Sequence, residues 1–437
     1  MTCSGNIPAR RKYIRSAACL LICFVFTAVP AFSESPENPE RIIRRVCEQT
    51  ELVREYADQL REENRKENYT QGGFSWDTER RGTSWRYFNG FMVDALLRMG
   101  GADNTGFAEA FYHDQIRLDG SVPDYLPGYL DSVEPARALF RLIPGSSPDG
   151  IYQKAVQWVY SRLETQRTYP QCGNNYLHHQ NEDGSIAASS LKYPVFLDGL
   201  YMTQPFLAEC AASIRKGELS LKDRKGTEIT AEALEEQILT RYAWIHAYLY
   251  NTEKGLYQHG WDVLSASPNG HYWGRGIGWL AMSMADVIGL LPESAGRYRM
   301  TVWLDELLDG MLDYQDPVTG MWYNVPDRGD DLPDNRTETS VTAMMAYSLI
   351  KAWNGGYAPG EHYLWRGLQA FQGVIETKSF LQDGRIHIKD TYLKSGVGET
   401  DEYYCAEGYT TDEAKGVAAL LMAAVEIETA VRGYNGE

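Results

Sequence analysis

The chain has 437 residues, of which 43% are hydrophobic, 23% charged and 12% aromatic, and its formal net charge is −17 at pH 7. This length and apolar content predict a chain that buries a large core. The acidic balance argues against nucleic acid as a partner, since nucleic-acid binding depends on clustered Lys and Arg. An acidic surface still admits an anionic ligand, because a few local cations can set the potential inside a cleft.

The N-terminal stretch has the pattern of a secretory signal peptide. Four basic residues within positions 10–15 precede an apolar run of about 15 residues and a small-residue end near Ala31 or Ser33. We therefore expect residues 1–33 to be a cleaved signal, residues 34–437 to form one domain, and the mature protein to be secreted or periplasmic. A retained signal anchor is the alternative. No later stretch has the length and apolar character of a membrane span.

The cysteines beyond the signal are widely spaced and include no CxxC pair, so a zinc site is not expected. One or two disulfides in an oxidising compartment and buried free thiols both stay open. The four cysteines are Cys47, Cys172, Cys210 and Cys405.

Apolar residues recur at i, i+3, i+4 and i+7 in eight stretches, each of which predicts an amphipathic helix. Continuous strand-like alternation is scarce, so we predict a mostly α fold. In chain order the stretches cover residues 41–65, 152–166, 233–249, 279–291, 302–315, 340–353, 363–377 and 415–431.

A loop type repeats between these stretches: a glycine followed by aromatic, apolar and polar residues in short alternation. A fixed period in a helical chain predicts a closed or stacked array of hairpins. Because the loops carry Trp, Tyr, His and Asp, we place them together at one end of an (α/α)6 toroid, where they line a pocket. The alternative is that these turns only terminate helices and pack on the rim. The copies lie at Gly73, Gly120, near Gly173, and at Gly255, Gly320 and Gly384, the last three being separated by 65 and 64 residues.

The stretch YPVFLDGLYMTQPFLAEC, residues 193–210, sets one carboxylate, Asp198, in an apolar and aromatic run. Thr203 is a candidate N-cap of the helix that follows, with Pro205 tolerated in the first turn. Asp198 is then expected on the segment that enters this helix. Partial desolvation by the neighbouring rings suits a proton donor. A structural carboxylate that caps backbone amides is the alternative.

A second acidic residue, Asp131, lies in YLPGYLDSVEPARALFRLI just before an apolar helical stretch. It is placed to be an N-cap, with Glu134 completing a capping box. Two acids that face one another would instead be the carboxylate pair of a glycosidase. The motif alone leaves both interpretations open.

The stretch HYWGRGIGWLAMSM, residues 271–284, brings Trp273, Arg275 and Trp279 onto a glycine-punctuated approach to a helix. Tryptophan faces stack on sugar rings, and an arginine fork binds a carboxylate with two hydrogen bonds. The pattern therefore predicts a site for an anionic sugar. A phosphate loop is not expected, because no strand precedes the glycines and no Lys-Ser/Thr follows them.

Histidines occur in GLYQHGWD, as His259, and in NNYLHHQ, as His178 and His179. Neither stretch has HExxH or a similar ligand spacing. We therefore expect these imidazoles to hydrogen-bond to a substrate rather than to hold a metal, and we expect no cofactor.

Five segments resemble, in order, the unsaturated rhamnogalacturonyl hydrolases of glycoside hydrolase family 105. They are YPVFLDGLYMTQPFLAE, GLYQHGWD, WGRGIGW, GMWYNV with ETSVTAMMAYSLIKA, and TTDEAKGVAALLMAAVE, and the resemblance spans about residues 40–430. The chain is also similar to the unsaturated glucuronyl hydrolases of family 88. Both families have (α/α)6 barrels, which agrees with the six loops.

The resemblance implies a catalytic domain in which Asp198 is the catalytic acid and base and Asp131 is a second active-site carboxylate that positions substrate and water. It implies an unsaturated acidic oligosaccharide, the product of polysaccharide lyases, as the substrate. The residues that it assigns to the sugar site are His178, His259, Trp273, Arg275, Trp279, Tyr87 and Phe196, and the anion-binding role falls to Arg275.

The chain departs from the family pattern at three places around the expected pocket. YPVFLDGLYM is two residues shorter than the family's YPNQMWLDGLYM and has Phe196 where a Trp is usual. The FWHK element reads YLHH and is followed by an insertion, and the link between HGWD and WGRG is short. The reaction therefore carries over more safely than the choice of substrate.

Other functions stay open at this point. One is an inverting hydrolase of saturated glycosides that uses Asp198 and Asp131 as an acid and base pair. Another is the unsaturated glucuronyl specificity of family 88, and a third is a sugar-binding protein on a decayed barrel. An epimerase would need several histidine acid/bases, and the whole chain has eight histidines.

Overall fold

The computed structural model describes residues 39–69, 85–145, 150–181 and 183–434. The predicted signal peptide and Gly73 lie outside these residues. The described residues form eleven α-helices and an eight-residue 3₁₀-helix, Glu134–Arg141, besides shorter 3₁₀ turns. The α-helices are α1 (Pro39–Tyr69), α2 (Tyr87–Met99), α3 (Ala102–Gln115), α4 (Ile151–Leu163), α5 (Asp198–Arg215), α6 (Ala231–Leu249), α7 (Gly274–Leu290), α8 (Ala295–Leu312), α9 (Thr339–Asn354), α10 (Glu361–Lys378) and α11 (Ala414–Tyr434).

These helices form two concentric rings. The inner ring runs through α2, the 3₁₀-helix, α5, α7, α9 and α11, and α11 packs back against α2 to close it. The outer ring consists of α1, α3, α4, α6, α8 and α10, each packed behind its inner neighbours. Outer and inner helices alternate along the chain, so the inner helices all run in the same direction. The predicted (α/α)6 toroid is confirmed.

The inner helices are apolar nearly all round because each contacts two ring neighbours and an outer helix. In α7, for example, every residue from Gly274 to Ile288 is buried. Close packing also depends on small residues: a Cβ at Gly278 would lie 2.9 Å from the side chain of Met344 on α9. All eight stretches with helical periodicity are helical in the structure.

The repeated glycine loops are the connections from an outer helix to the next inner helix. Each of the five described loop glycines has a left-handed backbone, which glycine adopts without a steric penalty. All of these connections therefore lie at the end of the toroid where the inner helices begin. The φ angles are 84° at Gly120, 62° at Gly173, 66° at Gly255, 72° at Gly320 and 76° at Gly384.

Short antiparallel strands stiffen these connections. The pairing of β3 with β6 matters most for function, because its register places Val195 opposite Trp261 and Phe196 opposite Gly260. It thus joins the YPVFLDG and HGWD segments. The pairs are β1 (Thr168–Tyr169) with β2 (Asn175–Tyr176), β3 (Val195–Phe196) with β6 (Gly260–Asp262), β6 with β7 (Ser267–Pro268), β4 (Tyr250–Asn251) with β5 (Leu256–Tyr257), β8 (Ser379–Gln382) with β9 (Arg385–Ile388), and β10 (Thr391–Tyr392) with β11 (Tyr409–Thr410).

The predicted start of α5 was wrong. The helix begins at Asp198 rather than after Thr203, and the Thr203 hydroxyl donates to the Gly199 carbonyl, 2.7 Å away, inside the helix. Pro205 consequently lies in the helix interior and not in its first turn. The earlier start places the Asp198 carboxylate at the positive end of the helix, where a negative charge is stabilised.

The capping box, one of the two interpretations of Asp131, is not found. Asp131 lies in a short 3₁₀ turn, and the 3₁₀-helix that follows has Val133 at its cap position, without a side-chain cap. Neither carboxylate oxygen of Glu134 has a hydrogen-bond partner among the described residues. Asp131 is therefore not engaged in starting the helix.

A buried charged cluster, here called the basal cluster, lies toward the C-terminal ends of the inner helices. Asp286 is its centre: its carboxylate lies 2.5 Å from Arg137 Nη2, 3.3 Å from Lys351 Nζ and 3.6 Å from Arg98 Nη2. Asp94 bonds to Arg98 and Arg141. Burial opposes ionisation of Asp286, but the surrounding cations outweigh it and hold the pKa of this carboxyl well below its usual range.

The cysteines of the described chain, Cys47, Cys172, Cys210 and Cys405, are free thiols, and all but Cys47 are buried. Three of these four cysteines are therefore buried free thiols, which was one of the two open alternatives. Among the described helices, none is sufficiently long and apolar to cross a membrane.

Candidate active site

A cavity of about 390 Å³ opens at the end of the toroid where the inner helices begin. Because these helices run parallel, their positive N-terminal ends converge on it, an arrangement that favours an anionic ligand. Eight of the nine predicted site residues line the cavity, and the ninth, His259, lies directly behind one of them. The eight are Tyr87, Asp131, His178, Phe196, Asp198, Trp273, Arg275 and Trp279.

His259 contacts Asp198 rather than the cavity. The β3–β6 pairing brings the two segments together, and the Leu197 amide donates to the His259 carbonyl at 3.0 Å. The imidazole is fully buried, and its Nε2 lies 2.9 Å from Asp198 Oδ2. His259 was predicted to contact the sugar, but this position makes it a partner of the carboxylate.

The hydrogen bonds of Tyr404 determine which nitrogen of His259 carries the proton. The Tyr404 hydroxyl oxygen accepts from the Gly398 amide at 2.9 Å and from Asn269 Nδ2 at 3.1 Å. With both lone pairs engaged, its proton can go only to His259 Nδ1, 2.9 Å away. Burial raises the pKa of Tyr404, so the hydroxyl keeps that proton. The proton of His259 is therefore on Nε2, which donates to Asp198 Oδ2.

Asp131 is held on the other side by a histidine. His178 Nε2 lies 3.3 Å from Asp131 Oδ1, and the His178 ring stacks on Phe196 with centroids 4.0 Å apart. Burial disfavours the charge of Asp131, but its interaction with His178 outweighs burial and lowers the pKa of this carboxyl. Asp131 is thus held as an ionised carboxylate in the cavity.

Arg275 lines the cavity, but most of its donors are engaged within the protein. Nη1 donates to the Tyr392 carbonyl at 2.5 Å, and Nη2 donates to the Leu393 carbonyl at 3.3 Å. The guanidinium is buried, lies 4.7 Å from the Trp273 ring centroid, and has the Glu338 carboxylate 3.9 Å away. Its buried Nε has no hydrogen-bond partner among the described residues, and the contact of Arg275 with a substrate carboxylate stays a prediction.

The two tryptophans are also almost completely buried against other residues of the protein. Trp273 donates from Nε1 to Asn324 Oδ1 at 3.1 Å, and Trp279 packs on Tyr201 with centroids 4.5 Å apart. Each is only 1% exposed. They form the wall of the cavity beside Tyr87, which is half-buried.

The sequence did not single out the segment that covers the opposite wall. Its residues lie between β10 and β11, in the long connection from α10 to α11. Connections of this length in a compact domain are often functional, and that signal was available in the sequence. The residues of this wall are Lys394, Ser395, Gly396, Tyr403 and Glu407, and His179 and Met202 complete the lining elsewhere.

Asp131, His178 and His179 are also spaced as metal ligands, with one ligand atom from each within 4.8 Å of the others. This is the one such group in the described part of the chain. The hydrogen bond between His178 and Asp131 already accounts for their proximity. The expectation that the protein uses no metal stays a prediction.

The fold and the cavity together define a class of protein. The closed toroid surrounds a cavity large enough for a sugar ring, with three carboxylates and two tryptophans in its wall. Such a site belongs to a carbohydrate-binding or carbohydrate-cleaving protein.

The family follows from comparison with known proteins. A family model described as Glycosyl Hydrolase Family 88 matches residues 52–431. The chain belongs to this family, and it is therefore a glycoside hydrolase. The resemblance to families 105 and 88 that the motifs carry is confirmed.

The chain is also similar to individual proteins and to solved structures. Protein Atu3128 of Agrobacterium fabrum is 32% identical over 195 residues, which cover 39% of this chain and 82% of that protein. The unsaturated rhamnogalacturonyl hydrolase YesR of Bacillus subtilis is 26% identical over 165 residues, covering 37% of this chain and 44% of that protein. A solved glycoside hydrolase from family 105 of C. acetobutylicum has the same fold, with a TM-score of 0.70, 22% identity, and coverage of 86% of this chain and 99% of that chain.

Proposed function

We propose that the protein removes a 4,5-unsaturated uronic acid from the non-reducing end of oligosaccharides by hydrating its C4=C5 bond. The observation that carries this proposal is the environment of Asp198. One oxygen of this carboxyl accepts a hydrogen bond from His259, while the residue also lines the cavity at the start of α5. The carboxyl is thereby oriented for proton transfer at a single position.

The chemistry needs only one such group. The C4=C5 bond is an enol ether, because the ring oxygen is attached to C5. Protonation at C4 forms an oxocarbenium-like cation at C5, and water adds there. The resulting hemiketal opens, and the rest of the oligosaccharide leaves from C1 without direct displacement at that carbon.

In this mechanism Asp198 donates the proton to C4 and then, as a carboxylate, takes a proton from the attacking water. Asp131 has a lowered pKa and a hydrogen bond from His178, so it suits the role of an ionised group that orients the water and the sugar. An ordinary inverting glycosidase would need one of its two carboxyls protonated and the other ionised across the scissile bond. Release of sugar from saturated uronides tests directly whether Asp131 and Asp198 act as such a pair.

For the substrate, we propose an unsaturated rhamnogalacturonan oligosaccharide derived from pectin. The family 105 motifs and the similarity to a rhamnogalacturonyl hydrolase support this choice over an unsaturated glucuronide. We further propose that the enzyme is exported, since the signal-like N-terminus suits an enzyme that meets the products of polysaccharide lyases outside the cytoplasm.

The decisive experiment measures loss of the enol absorbance for lyase-generated disaccharides. Asp198→Asn should lower turnover by about 10³-fold or more, whereas its amide oxygen still accepts from His259, so the fold persists. Asp313→Asn, an exposed change on the outer ring, is the matched control. Retained turnover in Asp198→Asn, or faster release from saturated uronides than from unsaturated ones, would refute the proposal. Comparing rhamnogalacturonan with glucuronide products identifies the preferred substrate.

A further inference from the structure

Two cationic side chains line the cavity, Arg275 and Lys394, and their surroundings differ. The positive charge of Arg275 is met by Glu338, which lies 3.9 Å away and is itself fully buried. The Nη atoms of Arg275 donate to the backbone carbonyls of Tyr392 and Leu393. Binding a substrate carboxylate there would require a second negative charge beside Glu338 in a buried site, which is unfavourable.

The carbonyls that Arg275 binds belong to the segment that carries Lys394. This segment, residues 392–398, is fixed at both ends. At its start the Tyr392 amide donates to Glu338 Oε1 at 2.8 Å. At its end the Gly398 amide donates to Tyr404, and the Gly398 carbonyl accepts from Asn269 Nδ2 at 3.0 Å. The residues between the two anchors lie along the cavity wall.

Lys394 is exposed, and within the described chain its ammonium group forms no ion pair. The carboxylates that share the cavity with it are Asp131, Asp198 and Glu407. Burial, with a smaller effect of His178, lowers the pKa of His179 to about 4, so this ring adds no positive charge at neutral pH. Lys394 is thus the lining cation whose charge is not already balanced by a bonded partner.

We infer that Lys394 binds the carboxylate of the unsaturated uronic acid, while Arg275 holds the segment in place. This assignment rests on the proposed function, because it concerns the anionic ring of that substrate. A lysine suits this role because its ammonium is a compact charge on a flexible stem that reaches a ligand without a fixed fork geometry. Ionised carboxylates in the cavity, Asp131 among them, would otherwise repel the substrate, so the cation also decides whether an acidic ring can enter.

The test compares two substrates and three variants. The substrates are an unsaturated disaccharide with a free C6 carboxylate and the same compound as its C6 methyl ester. Lys394→Met keeps the stem of the side chain and removes its charge. Lys216→Met, at the opposite end of α5 and also exposed, is the matched control, and Lys394→Arg tests whether charge alone restores binding.

For the acid, Lys394→Met should lower kcat/KM by about tenfold or more, mainly through KM, because a charge-assisted hydrogen bond is lost. For the ester, the same variant should change kcat/KM by less than about twofold, since no charge pair exists to lose. Lys394→Arg should recover most of the acid activity, and Lys216→Met should match the wild-type enzyme on both substrates.

The outcomes separate this assignment from the proposed function. An active wild-type enzyme whose Lys394→Met variant keeps its KM for the acid, or loses acid and ester activity equally, would overturn the role of Lys394 alone. A wild-type enzyme that leaves both unsaturated substrates intact would overturn the proposed function and the assignment with it.

Discussion

Tyr404 lies two hydrogen bonds from the proposed acid, so its hydroxyl should influence catalysis without touching the substrate's reacting atoms. Tyr404→Phe removes one oxygen and keeps the ring, which packs in a small cluster with Trp273 and Tyr392. The variant leaves His259 Nδ1 without the donor that now fixes its tautomer. His259 can then carry its proton on Nδ1 and turn an unprotonated Nε2 toward Asp198.

The size of the effect follows from this one interaction. An unprotonated Nε2 repels the ionised form of Asp198, and it accepts the proton of the acid form in competition with C4. The Nε2–H donation to Oδ2 is a single buried hydrogen bond, worth about 0.5–1.5 kcal/mol net. We therefore expect kcat to fall by about two- to tenfold, with little change in KM.

The assay is the loss of enol absorbance, measured from pH 4 to pH 8 in four proteins: wild type, Tyr404→Phe, His259→Gln and the double variant. His259→Gln keeps a donor near the position of Nε2 but has no tautomers. Tyr404→Phe should therefore have no further effect in that background. Tyr298→Phe is the matched control, because it removes the hydroxyl of a side chain that is 70% exposed on the outer helix α8. Nitrogen-15 spectra of labelled histidine should show the protonated nitrogen of His259 moving to Nδ1.

Two results would refute this reasoning. Additive losses in the double variant would mean that Tyr404 acts through the Gly398 amide, which it also binds, and not through His259. An unchanged pH profile and an unchanged histidine spectrum in Tyr404→Phe would mean that the tautomer does not depend on this hydroxyl.

Two further predictions concern stability. Asp286→Asn should lower the free energy of unfolding by about 3–5 kcal/mol, measured by urea denaturation, because it leaves the cations of the basal cluster without their central carboxylate. The pKa of His179 is lowered to about 4 from an ordinary 6.5, so the unfolded chain binds more protons between these values. Stability should therefore fall as the pH drops from 6.5 to 4, and His179→Gln should reduce that fall by about 1–3 kcal/mol, as read from urea midpoints at each pH.

The architecture was predictable because its signals are periodic. Apolar residues at helical spacing mark both rings, and the glycine loops mark the connections between them. Two helices, α2 and α3, lie outside the eight predicted stretches and outside the helix expected after Thr203. The 3₁₀-helix, Glu134–Arg141, is a further exception, since its sequence is short and contains Pro135 in its first turn. The periodicity of eight residues cannot distinguish a 3₁₀-helix from the start of an α-helix.

The site was predictable only in part. Asp198, Asp131 and the glycine-flanked tryptophans stand in motifs that are recognisable in the sequence. The positions of Tyr404 and Lys394 depend on ring closure, which packs α11 against α2 and brings the segment before α11 beside His259. No local pattern encodes a contact between residues 259 and 404, because their proximity exists only once the toroid has closed. The same reason explains why the hydrogen bond between His259 and Asp198 was not predicted.

The direction of the inner helices connects the cavity with the basal cluster. Because the inner helices are parallel, their positive ends lie together at one mouth of the toroid and their negative ends lie together at the other. At the first mouth the chain places Asp131, Asp198 and Glu338. Toward the second it places the arginines and the lysine of the basal cluster, two of them in the last turns of α2 and α9. Acidic side chains and an anionic substrate can share the first mouth because the helix ends offset part of their charge. In the proposed assignment, Lys394 has to balance only the charge that the helix ends leave, so one exposed lysine would suffice to select an acidic sugar.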